Sequence, residues 1–108
     1  MHVIDEKLQS LECPLSSFTP LVAGVVGRTR LTQFLKGSVQ LDSGVVNELI
    51  GVLNEMIELK LASVIAPNWQ DTENIREQLR RRREIKLAFR YDESVLEELL
   101  QEKNGAGN

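Results

Sequence analysis

Histidine and cysteine are almost missing from this chain: each occurs once, as His2 and Cys13. A lone thiol closes no internal disulfide, so the fold must hold without cross-links, and Cys13 reads as a small apolar residue. The same scarcity removes common chemistries. A thiol nucleophile would need His2 held against Cys13, and nothing fixes that pair, since His2 lies at an N-terminus expected to be mobile. No residues have metal-ligand spacing. Gly24 and Gly27 are not followed by the Lys-Ser or Lys-Thr of a phosphate loop. Glu97 and Glu98 are adjacent on a surface helix, which is not a general acid–base layout. The sequence therefore predicts no enzyme, no metal and no cofactor, and shows no small-molecule substrate site. Aromatic residues make up only 5% of the chain, so the core must be mostly aliphatic. No apolar run approaches the ~20 residues of a membrane span. The opening residues Met1–Glu6 do not form a signal sequence, which leaves a cytoplasmic protein as the expectation.

A further absence is local. The 108 residues carry 13 Lys+Arg against 16 Asp+Glu, a net charge of -3. Yet no Asp or Glu occurs between Cys13 and Leu41, although Arg28, Arg30 and Lys36 all lie there. An acidic chain has kept acid out of one stretch, an arrangement that a phosphate backbone would favour.

What is present reads as helices. Leu8 and Leu11 mark a first one, from Asp5 to about Cys13, which Pro14 interrupts. Leu15 to Ala23 predicts a second, with Pro20 tolerable only near a first turn that Thr19 could cap. Gly24 breaks it. Arg28 to Lys36 is the third, closed by Gly37 as a left-handed stop. Asp42 or Ser43 starts the longest helix, about Gly44 to Ala62, whose stripe of Val45, Val46, Leu49, Ile50, Leu53, Met56, Ile57 and Leu61 marks the centre of the core. After a linker over Ser63–Asn68, Asp71 or Thr72 caps a further helix that turns Ile75 and Leu79 inward. Trp69 is expected to pin the linker to the core. Residues 85–91 alternate apolar and polar, but no second strand exists to pair with them, so helix is favoured. A last helix from Asp92 or Ser94 carries Val95, Leu96, Leu99 and Leu100, and Asn104–Asn108 reads as a frayed tail. The expected class is an all-α, small helical bundle. Residues 1–66 form its main unit, and 67–108 a C-terminal helical extension and candidate dimerisation element.

On a helical wheel Leu31, Phe34 and Leu35 share one sector. Thr29, Gln33 and Lys36 lie opposite, with Arg28, Arg30 and Thr32 at the flanks. That outward face offers cations, hydroxyls and an amide. Arg can meet guanine, Gln adenine and Thr a thymine methyl, while Lys36 and Ser38 can hold phosphates.

With these residues in view, the segment resembles the helix-turn-helix of the lambda-repressor-like (Xre/Cro) family. Ala23-Gly24-Val25 looks like the turn, Arg28, Thr29, Thr32 and Gln33 like base-reading positions, Leu31 and Leu35 like the buried pair, and Gly37 like the stop. The helix from Val45 to Leu59 looks like the family's core-forming fourth helix. The pattern departs in an extra residue at Val26-Gly27, in Gly27 where a Ser or Thr cap is usual, and in Pro20 within the preceding helix. The resemblance implies a sequence-specific, phage-like transcriptional regulator that binds double-stranded DNA as a homodimer. Its DNA-binding residues would be Arg28, Thr29, Arg30, Thr32, Gln33, Lys36 and Ser38.

Two features leave alternatives open. Arg80-Arg81-Arg82-Arg83 spans ~300° of a helix, so Arg82 or Arg83 must approach the apolar stripe. The run suits a solvated, ion-paired helix, with Glu77 four residues before Arg81. It also suits phosphate contact, or a subunit interface with the acidic C-terminal helix of a second copy. The rival to DNA reading is a helical protein-interaction module: an adaptor, inhibitor or antitoxin-like partner.

Overall fold

His2 begins the fold: its Nδ1 accepts the Ile4 N–H at 3.1 Å and caps α1 (Val3–Leu11). The computed structural model describes residues 2–88, and these form an all-α bundle of five helices. α1 buries Ile4, Leu8 and Leu11, then stops where Glu12 turns into the left-handed region at φ 57°. There Glu12 N–H donates to Gln9 O at 3.0 Å and Cys13 N–H to Leu8 O at 3.0 Å, closing the orphan carbonyls of the last turn.

α2 (Leu15–Leu21) follows after Pro14, which sits extended at its N-cap. This corrects the expected position of Pro20. It stands near the end of the helix, not in a first turn, and Thr19 is buried rather than capping. A proline there has no N–H for the Ser16 carbonyl. The Thr19 hydroxyl supplies a long hydrogen bond to that oxygen instead, at 3.5 Å. The helix also ends at Leu21, before Ala23.

Residues 22–27 connect α2 to α3 (Arg28–Leu35). Gly37 takes φ 83°, and its N–H donates to Phe34 O at 3.0 Å while Ser38 N–H reaches Gln33 O at 2.9 Å. The expected left-handed glycine stop is therefore present. α4 (Ser43–Ala62) buries Leu49, Leu53 and Met56 of its predicted stripe, together with Leu59, which the stripe left out, whereas Leu61, placed on it, is exposed in the last turn; Asp42 precedes the helix without a side-chain cap. α1 packs on α4 and α2 on α3.

The fifth helix, α5, covers residues 72–88. Asp71 accepts the Asn74 N–H at 3.4 Å at its start. Ile75 and Leu79 point inward as expected and join the same core as the first four helices, as does Trp69. The Trp69 indole N–H donates to Leu11 O at 2.9 Å, so this residue does pin the linker to α1. The unit expected over 1–66 and the first part of the 67–108 extension thus share one hydrophobic cluster. Residues 85–88 are helical. The remaining alternation at 89–91, the predicted last helix with its acidic face, and the tail lie outside the described residues. Among the described residues no helix is long and apolar enough to cross a membrane.

Candidate nucleic-acid interface

The seat of α3 is apolar. Leu31 is fully buried, and Phe18, Val22 and Val26 are buried in the same cluster. Val26, the additional residue of the connection, therefore has a packing role. The connection over 22–27 is longer than the helix-turn-helix turn of about 3–4 residues. It is tightened by Val25 N–H and Val26 N–H, which both donate to Val22 O, at 2.9 and 3.0 Å.

His2 adds a contact that the sequence hid. Its ring meets Phe34 edge-on, with centroids 4.7 Å apart and planes at 64°. The residue expected to sit on a mobile terminus instead braces the inner side of α3. Its position before an apolar-periodic run is consistent with a cap, but nothing local could have named Phe34 as its partner.

The outer side of α3 is polar. Arg28, Thr29, Arg30, Gln33 and Lys36 are exposed, and so is Ser38 beyond the stop. The wheel thus places them as they stand. Thr32 is different: it is half-buried, and its hydroxyl donates to Arg28 O at 2.9 Å. That hydrogen bond occupies its proton and leaves its methyl for contact. Gly27 caps α3 with backbone alone, at φ -69° and ψ 153°, and brings no side-chain hydrogen bond. The N–H groups of the first turn are then available to an outside acceptor, at the positive end of the helix dipole.

The electrostatic setting follows from the acid-free stretch. Among the described residues Arg28, Arg30 and Lys36 make no ion pair. The arginine run is the reverse. Arg80 is held by Glu77 and Glu84, and Arg81 by Glu77 at 3.3 Å. Arg82 reaches Glu58 of α4 at 3.6 Å, and Arg83 reaches Glu55 at 3.7 Å. Lys86 also binds Glu58. Arg82 is the member that approaches the apolar stripe; its Nε is buried without a hydrogen-bond partner. The Lys86 hydrogen bond, with help from Arg82, holds the Glu58 carboxyl below its ordinary range, and Arg80 does the same to Glu77. The ion-paired reading of the run is the one the structure supports, and its pairing reaches across to α4 as well as along α5.

Cys13 is buried, and burial alone pushes its thiol up to about 11, so it stays protonated at neutral pH. Among the described residues no group of three or more His, Cys, Asp or Glu is placed to hold a metal ion. Compared with protein-family models, curated proteins and solved structures, the chain matches none.

Proposed function

We propose that this chain is a sequence-specific, DNA-binding transcriptional regulator that lays α3 in the major groove. One observation carries the reading. The exposed face of α3 holds Arg28, Arg30 and Lys36 without an ion pair among the described residues, in a stretch free of Asp and Glu. In this reading Gln33 and Arg28 contact base edges, Thr29 and the Thr32 methyl meet thymine, and Arg30, Lys36 and Ser38 hold phosphates. A homodimer would read a palindromic operator. The test is a salt-titrated shift assay on random duplex DNA, with selection and sequencing of the bound fraction. Enrichment of a motif supports the reading, and no enrichment at low salt rejects it.

A second reading is favoured by exposed apolar side chains elsewhere on the described residues. Val64 and Ile65 after α4, with Leu61 on it, are strongly exposed, and Ile85 and Leu87 of α5 are exposed as well. Apolar side chains in that number suit contact with protein. They fit a helical interaction module as well as a dimer surface. An unenriched DNA library together with a stable protein complex would establish the module.

A further inference from the structure

Leu21 and Val25, at the end of α2 and in the connection after it, face Val52 of α4 and Leu79 of α5 across a cavity of about 360 Å³. That size lies at the low end of small-ligand sites. A second cavity shares Val25, Val52 and Arg83 and continues the groove along α4 past Gly51. A Cβ at Gly51 would meet nothing within 4 Å, so no packing contact requires glycine there. Its presence keeps the wall low in a helix that glycine disfavours.

The floor is apolar and the rim is cationic, with Arg76, Arg80 and Arg83 set against Glu55. These guanidiniums are not equivalent. Arg80 is held by Glu77 and Glu84, and Arg83 reaches Glu55 at 3.7 Å. Arg76 has no carboxylate partner among the described residues; it donates to the Pro20 carbonyl. An apolar occupant would strip water from beside this uncompensated charge, whereas an occupant with an anionic head would supply a charge-assisted hydrogen bond in its place.

We propose that this groove binds a small amphipathic carboxylate, with its aliphatic or aromatic body on Val25, Val52 and Leu79 and its carboxylate on Arg76. The site is separate from the outer face of α3, and its occupancy does not depend on whether α3 reads DNA. The full chain is titrated with sodium octanoate, 1-octanol and sodium acetate while the methyl NMR signals of Val25, Val52 and Leu79 are followed. Octanoate is expected to saturate these shifts with a dissociation constant at least tenfold below that of octanol, and acetate to leave them unmoved. Arg76→Gln removes the charge while keeping a polar side chain and should abolish the tenfold preference while octanol still binds. Arg76→Lys should restore much of it. Thermal melts of both variants establish that they fold. Equal affinity for octanoate and octanol, a preference unchanged in Arg76→Gln, or no saturable shift overturns the proposal. A peptide of residues 92–102 that moves the same methyls when octanoate does not overturns it as well, and gives the groove to an acidic segment of the chain itself.

Discussion

α3 and α5 are both basic, but their cations stand in opposite situations. The run Arg80–Arg83 of α5 is the denser cluster, and each of its members has a carboxylate within the chain. The cations of α3 are fewer, and among the described residues none has a carboxylate partner. Density of charge in a sequence is thus a poor guide to a binding face. What distinguishes a candidate face is cation without counter-charge. Exposed pairs contribute little to stability singly, on the order of 0–1 kcal/mol. Their consequence here is chiefly that the Arg80–Arg83 run is electrostatically satisfied by α4 and by α5 itself, whereas Arg28, Arg30 and Lys36 stand together in an acid-free stretch with no carboxylate partner among the described residues.

The largest effect expected on this comparison comes from beneath α3. Leu31 is fully buried, so Leu31→Ala should cost about 2–5 kcal/mol in urea unfolding and loosen the helix that presents the cations. A cost below about 1 kcal/mol would mean that α3 is not seated by this core. The next effect separates the two helices. Under the proposed reading Arg28→Ala or Gln33→Ala weakens DNA binding by ~1–3 kcal/mol, while Arg81→Ala, which removes the same charge from a paired arginine, leaves it nearly unchanged. Shift assays at fixed salt read both, and equal weakening by all three would erase the distinction.

Smaller effects sharpen the view of how α3 ends. Gly37 and Glu12 hold equivalent left-handed positions after α3 and α1, at φ 83° and 57°. Gly37→Ala should destabilise by about 1 kcal/mol and Glu12→Gly should stabilise by up to the same amount, both read by chemical denaturation. Shifts of the same sign would show that the two stops are not alike.

The weakest effect is on α5. Glu58 and Glu77 have folded-state carboxyls held below their ordinary range by Lys86 and Arg80. Their contribution is therefore present above the unfolded carboxylate range and is lost as pH falls through the lowered folded values. Because both groups are exposed, the loss should be small and should shrink further in high salt. Melting temperatures of the wild-type chain and of the Glu58→Gln variant should converge on acidification; a constant gap would show that the α4–α5 pairing carries no pH-dependent stability.

Much of this architecture was legible because it rests on local signals. The burial of Leu49, Leu53 and Met56 in α4, the stop at Gly37, the inward turn of Ile75 and Leu79 and the exposure of Thr29, Gln33 and Lys36 follow from spacing alone. What was not legible depends on partners distant in sequence. Lys86 and Arg82 find Glu58, Arg76 finds Pro20 and His2 finds Phe34, and no periodicity names such pairs. Pro20 misled for a related reason. The expected start at Leu15 holds, but a rule that confines proline to first turns did not foresee it in the last turn, where the Thr19 hydroxyl takes over the Ser16 carbonyl. Within the candidate face, only the Thr32 hydroxyl departs from its expected freedom, because a helical threonine can return its proton to the carbonyl four residues back.

The most direct measurement is the salt dependence of DNA binding for three proteins: the wild-type chain, a variant with Arg30→Ala and Lys36→Ala, and a variant with Arg81→Ala and Arg83→Ala. If the unpaired cations of α3 meet phosphates, the slope of log K against log salt falls by about one unit for each cation removed from α3 and stays at the wild-type value in the α5 variant. A slope that falls only in the α5 variant, or no salt-dependent binding by the wild-type chain, would contradict the assignment of α3 as the nucleic-acid face.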